Sequence, residues 1–186
     1  MPFRKALVAL LACLLPALAC AFQDRSTGLY LEGGNTFFRD GDSSTDSLGV
    51  GMLFPWSPMS AFAQGSQSLY WDVFLSNWSA RDETGGRSNF AQAGAILTWR
   101  YRFSQGTSPW FGELGVGASL MDRTYHTPER QFSSNFQFTE VMGVGLSLGD
   151  HGQHELGLRL QHFSNGGIKK PNPGETFVRA RYTYRF

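Results

Sequence analysis

Eight segments of roughly ten residues alternate apolar side chains with polar residues or glycine, and this period of two constrains the fold more than any other feature. The segments run from about Gly28 to Phe37, Ser47 to Phe54, Ser68 to Trp78, about Asn89 to Phe103, Trp110 to Met121, Phe136 to Leu148, Leu156 to Asn165 and Thr176 to Phe186. In an extended chain successive side chains point to opposite faces, so each segment has one apolar face and one polar face. In the seventh, Leu156, Leu158, Leu160, His162 and Ser164 share one side, and Gly157, Arg159 and Gln161 lie on the other. The eighth places Val178, Ala180, Tyr182, Tyr184 and Phe186 opposite Arg179, Arg181, Thr183 and Arg185.

An all-β, eight-stranded, antiparallel up-and-down barrel crossing a membrane satisfies this pattern, because closure pairs every backbone polar group inside the lipid. Its polar faces carry Arg100, Arg102, Arg159, Arg179, Arg181 and Arg185 against Glu32, Asp72, Glu113 and Glu155. A barrel of this size is filled by its own side chains, so these charges are expected to pair inside it. A soluble lipocalin-type barrel would invert the faces, and periodicity by itself does not choose between the two. Two features favour the membrane. The last strand is aromatic and ends on Phe186, which resembles the signal read by outer-membrane assembly machinery. Aromatics also gather at strand ends (Trp56, Tyr101, Phe103, Trp110, Tyr184), as an interfacial girdle requires. With both termini periplasmic, the connections Asp40 to Asp46, Ser79 to Ser88, Asp122 to Ser134 and Asn165 to Gly174 face outward. Pro55 to Gln67 is long for a periplasmic turn and is the weakest point of the strand count.

Residues 1–21 read as a cleaved secretory signal: Arg4 and Lys5, an apolar run from Ala6 to Ala19, and the small-residue site Ala19-Cys20-Ala21. The exported barrel then spans 22–186. Acylation of Cys20 is the alternative, but Ala17 stands where a lipoprotein signal would carry leucine. Cys13 and Cys20 are the only cysteines, so a mature chain from Phe22 has no disulfide, thiol nucleophile or cysteine-held metal. A net charge of +1 gives no electrostatic case for nucleic acid. The histidines His126, His151 and His154 show no metal-ligand spacing and read as surface loop residues; no metal and no cofactor are expected.

His162 and Ser164 are neighbours on one face, and that face is the one lipid would touch. A serine hydroxyl becomes a nucleophile when a base takes its proton, although a bare His-x-Ser is also what an ordinary polar rim looks like. The stretch His162-Phe163-Ser164-Asn165-Gly166-Gly167-Ile168-Lys169-Lys170-Pro171-Asn172-Pro173-Gly174-Glu175 resembles the active-site segment of the outer-membrane lipid A 3-O-deacylases, the PagL-type enzymes. The resemblance covers the end of the seventh strand, the loop and the last strand, with weaker likeness at Pro109 to Met121. It implies a serine esterase in the outer membrane of a Gram-negative bacterium, its site toward the outer leaflet. Such an enzyme removes the ester-linked 3-O acyl chain, a 3-hydroxy fatty acid, from the lipid A of lipopolysaccharide.

Carried over by position, Ser164 is the nucleophile and His162 the base. The family pattern puts a glutamate fourteen residues after the histidine, where this chain has Thr176; Glu175 precedes it by one. Glu175 is assigned as the acid, on the expectation that a bulge after Pro173-Gly174 turns it outward. Glu140 is the alternative: if Leu148 pairs with Leu156, it falls opposite Ser164 on the same face. Asn165, Gly166, Gly167 and Asn172 are candidates for holding the oxyanion, or are plain turn residues. Lys169 and Lys170 stand at headgroup height, where lipid A phosphates would be, or are simply solvated. The expected partners are lipopolysaccharide, outer-membrane lipids and the assembly machinery, with a homodimer left open. A non-catalytic barrel with a structural or adhesive role, and acyl transfer in place of hydrolysis, are the competing functions.

Overall fold

The computed structural model describes residues 22, 24–37, 44–63 and 65–186. Eight antiparallel strands close into a barrel in which each pairs with the next and the last with the first. They are β1 (Gly28–Thr36), β2 (Asp46–Trp56), β3 (Gln67–Arg81), β4 (Arg87–Arg102), β5 (Trp110–Met121), β6 (Phe136–Leu148), β7 (His154–Ser164) and β8 (Glu175–Arg185). The leader expected over 1–21, with both cysteines, and the tip of the first outer connection, 38–43, lie outside the described residues. The bounds of β5 and β6 are those read from the alternation. Among the described residues the long second connection holds no strand. It forms a one-turn helix, Ser60–Ala63, and the guanidinium of Arg25 donates to the carbonyls of Phe62, Gly65 and Gln67 beside it.

The faces settle the choice between membrane and soluble barrel. Leu48 is 61% exposed and Val116 64%, whereas Arg179 and Asp72 are wholly buried. The apolar faces look outward, so the lipocalin-type alternative is excluded and the belt of Leu, Val and Met is a lipid-facing surface. At its periplasmic edge Trp56, Tyr101, Phe103, Trp110, Tyr182, Tyr184 and Phe186 form the exposed girdle.

The barrel interior is an ion-pair lattice. Glu32 accepts from Arg179 at 2.8 Å and from Arg181 at 2.7 Å. Asp72 bridges Arg159 and Arg181 at 2.9 and 2.8 Å and accepts the Tyr30 hydroxyl at 2.6 Å. Arg100 joins Glu113 and Glu155, and Arg185 donates to Glu155 at 2.7 Å. Charges buried this deeply persist only when paired.

One member of the lattice comes from outside the strands. Asp24 enters the periplasmic mouth, where it pairs with Arg100 at 2.8 Å and with Arg102. Beside it the Arg102 guanidinium lies 4.0 Å from the Phe22 ring centre. Burial would raise the Asp24 pKa, but hydrogen bonds and charge from Arg102 and Arg100 hold it well below the usual carboxylate range. A depressed carboxyl contributes stability above its unfolded pKa and loses it as pH falls toward the folded value. Asp24→Asn is therefore expected to destabilise the barrel by about 3 kcal/mol at neutral pH, because it takes the carboxylate from buried Arg102 and one of three from Arg100, which keeps Glu113 and Glu155. The deficit should shrink as the wild type is acidified below about pH 4. Urea unfolding followed by tryptophan fluorescence at pH 7 and pH 3 measures both.

At the extracellular end the lattice gives way to aromatics. Trp78 packs against Phe163 and Phe177, with centroids 4.9 and 4.6 Å away. Tyr125 and Phe132, from the connection between β5 and β6, close over it at 5.4 and 6.3 Å. This connection, expected to be a plain outer loop, folds down into the mouth of the barrel as a cap. Two of its aromatics are fully buried, Tyr125 and Phe132 each at 1% exposure.

Candidate active site

Strand β7 carries His162 and Ser164 up its lipid side to the extracellular rim, both half-buried. The neighbouring strands fix their surroundings by register. On β6, Glu140 lies opposite His162 and Phe138 opposite Ser164. On β8, Thr176 lies opposite His162. The β6–β7 turn is tighter than expected: Leu148 pairs with His154, not Leu156, so Glu140 meets the histidine and not the serine. Gly149 and Gly152, both at positive φ, make that turn possible.

The imidazole is held from β8. Nδ1 of His162 lies 2.8 Å from Oγ1 of Thr176. With Nδ1–H donating to that hydroxyl, Nε2 is the basic nitrogen. The ring rests on Gly174, where a Cβ would stand 2.7 Å from Cε1 and 3.0 Å from Nε2. Gly174 also has φ +70, so both its conformation and the imidazole require glycine. Ser164 Oγ is approached by the backbone N–H of Gly166 at 3.5 Å.

Glu175 goes elsewhere. β8 starts on it without a bulge, paired with Phe163, so alternation turns its side chain inward. There it is 3% exposed, accepts from the Tyr125 hydroxyl at 3.4 Å and sits 3.4 Å from Arg130 Nη1. The structure brings Thr176, and not Glu175, to His162.

Asn165 also turns inward and is 2% exposed. Its Nδ2 donates to the hydroxyls of Ser133 and Ser134 and to the Lys169 carbonyl. Its Oδ1 accepts from the Gly167 N–H, and its own N–H donates to Asn172 Oδ1 at 3.0 Å. Asn165, Gly167 and Asn172 are therefore committed to shaping the loop, and the amide that faces the Ser164 hydroxyl is that of Gly166. Lys169 and Lys170 are exposed on the same loop, next to Ile168, which is 75% exposed. Of the other histidines, His126 contacts Glu83 at 2.9 Å in an exposed pair, and His154 opens β7 and is not in a loop.

A lipid-side groove of about 720 Å³ begins at His162, Thr176 and Glu140. It passes Leu160, Met142, Leu114 and Val116 and ends at Leu97, Trp99 and Leu69. Because the rows of paired residues slant across a tilted barrel, the groove descends from the rim toward the membrane interior. An imidazole at the headgroup end of an apolar track, with the Ser164 hydroxyl the next outward residue above it on β7, is arranged to meet an ester whose acyl chain lies in the track. Reading strand by strand missed Thr176 and Gly174. Parity was the available signal for the first; nothing local marks the second as a support for the ring.

Residues 46–185 match the family described as Lipid A 3-O-deacylase (PagL). A lipid A deacylase PagL of Bordetella bronchiseptica is 34% identical over 131 residues, which cover 70% of this chain and 70% of that protein. A second, from Pseudomonas aeruginosa, is 30% identical over 110 residues, covering 59% of this chain and 60% of the relative. The crystal structure of the outer membrane enzyme PagL superposes with a TM-score of 0.60 at 21% identity, over 86% of this chain and 99% of that one, and so has the same fold. The family match extends from β2 through the site strands, and the chain belongs to the lipid A 3-O-deacylase (PagL) family.

Proposed function

We propose that this protein is an outer-membrane serine esterase that hydrolyses the 3-O acyl ester of lipid A. The observation that carries the reading is that His162 and Ser164 stand two residues apart on the lipid face of β7, with His162 at the top of an apolar groove and its Nδ1 in contact with Thr176. A substrate lipid in the outer leaflet would lay its acyl chain along Leu160, Met142 and Leu114. Its headgroup phosphates would lie level with Lys169 and Lys170.

In the first half-reaction Nε2 of His162 takes the Ser164 proton as Oγ adds to the ester carbonyl carbon. The resulting oxyanion accepts from Gly166 N–H, a preorganised donor worth about 10²–10³-fold in rate. The C–O bond to the sugar then breaks, and the imidazolium returns its proton to the departing sugar oxygen. In the second half a water, deprotonated by Nε2, attacks the acyl-serine. Ser164 regains its proton and a 3-hydroxy fatty acid leaves. Base catalysis by the histidine accounts for about 10²–10⁴-fold. The mature chain is read as starting at Phe22, since Phe22 and Asp24 are already seated in the periplasmic mouth.

The test is to incubate the purified protein in detergent with lipid A and weigh both products. Loss of one primary hydroxyacyl chain from the lipid, with free 3-hydroxy fatty acid in equal amount, is the expected result. Lipid A of unchanged mass would reject the esterase in favour of a structural barrel. Appearance of the chain on an added acceptor would reassign the site to acyl transfer.

A further inference from the structure

We infer that Glu140, from the neighbouring strand β6, supplies the carboxylate that serves His162, while Thr176 on β8 fixes the tautomer. The inference rests on the esterase reading above and names a positioning residue for it. Two observations carry it. First, Glu140 is the only carboxylate on the outer faces of β6, β7 and β8 among the described residues; its neighbours on its own face are Phe138 and Met142. A carboxylate among lipid-facing side chains is disfavoured unless it serves a purpose. No hydrogen bond or ion pair occupies it among the described residues. Second, it is the direct cross-strand partner of His162. Side chains opposed in this way have Cβ atoms about 4.5–5.5 Å apart. A glutamate can therefore reach the imidazole, and both line the same end of the groove.

The chemistry divides between two supports. With Nδ1–H donating to the Thr176 hydroxyl, Nε2 stays basic, but that hydroxyl is neutral. When Nε2 takes the serine proton the ring becomes a cation at the edge of a lipid layer. A nearby anion then lowers the energy of that state, which a hydroxyl does only weakly. Glu175 does not fill the role, because it faces the lumen and bonds Tyr125. In this chain the two jobs commonly given to one carboxylate, orientation and charge, come from opposite sides of the histidine.

The experiment compares wild type, Ser164→Ala, Glu140→Gln, Glu140→Leu and the double variant Glu140→Gln/Thr176→Glu. Each is refolded in detergent and checked by its heat-modifiable electrophoretic mobility, and kcat and KM are measured on lipid A. Glu140→Gln should lose about 10- to 10²-fold in kcat with KM unchanged, and Glu140→Leu at least as much while remaining folded. The double variant should regain most of the loss, because its new carboxylate stands where Thr176 now contacts Nδ1. A structural rim charge would behave differently: leucine would improve the lipid face and leave kcat intact. Wild-type kcat in either single variant, or no recovery in the double, overturns the role of Glu140 and leaves the esterase reading standing. A wild type that releases no fatty acid overturns both.

Discussion

Ser164→Ala is expected to reduce lipid A deacylation by about 10⁴- to 10⁶-fold, the largest effect of any single change in this protein. The reasoning is chemical. On the proposed mechanism alanine removes the atom that forms the acyl-enzyme, and among the described residues no other serine lies on the lipid face of β7 beside His162. Thr176 Oγ1 is nearby, but it contacts Nδ1 and not the basic nitrogen. The fold should barely notice. Ser164 is half-buried at the end of β7, and its hydroxyl receives only the long Gly166 contact at 3.5 Å. Stability should change by less than about 0.5–1 kcal/mol. The signature is a collapse in kcat with an unchanged barrel and unchanged lipid affinity, since affinity resides in the groove. A Ser164→Ala protein that still releases hydroxy fatty acid at the wild-type rate would remove Ser164 from the mechanism.

Gly174→Ala is the second large effect, and it acts without touching any group that reacts. The new methyl would lie 2.7 Å from His162 Cε1 and 3.0 Å from Nε2, closer than unbonded carbon atoms tolerate. The backbone there also has φ +70, which costs alanine about 1 kcal/mol or more. The imidazole must swing away, and its Nε2 leaves the position from which it serves Ser164. A displacement near 1 Å at a reacting centre costs about 10²-fold in rate. Deacylation is expected to fall by about that factor, while the barrel keeps its mobility on gels and its unfolding midpoint shifts only modestly. Gly167→Ala is the control. Its φ of +80 is equally unfavourable to a side chain, but no atom lies within 4 Å of the added methyl. If both variants lose equal activity, backbone strain in the loop explains the loss and the contact with His162 does not.

The contrast between Glu175 and Thr176 shows where sequence reading stops. Alternation is local, so the sorting of side chains into two rows, Leu48 and Val116 in one and Arg179 and Asp72 in the other, follows from residue types and the pleat. Parity also put Thr176 on the side of His162. The expectation of a bulge overrode it, and the chain makes no bulge there. Asn165 is a similar case. Parity places it with Gln161 and Phe163 on the inner side, and its adjacency to Ser164 in sequence suggested an oxyanion role that its inward side chain does not fill. The β6–β7 turn shows a subtler limit. A pairing shift of two residues leaves every side chain on its predicted face and still exchanges its partner. Glu140 was legible as an outward acid; that it meets His162 and not Ser164 was not.

Features that join distant parts of the chain had no local signal. Asp24 enters the mouth to neutralise Arg100 and Arg102 across more than 70 residues, with separations of 76 and 78. Tyr125 and Phe132 leave an apparently external connection to cap the aromatic layer around Trp78. The alternation by itself determined the number of strands, which side chains share a face and that His162 and Ser164 stand on the apolar one, because a pleated strand sorts its side chains by parity whatever surrounds it; that the apolar face looks outward was decided by the closed barrel. Register, turn length and the closing of the barrel decided that Thr176 holds the imidazole, that Gly174 lies beneath it and that Glu140 stands across from it. Those relations depend on how one strand slides against another, and sliding by a whole pleat leaves the sequence pattern unchanged.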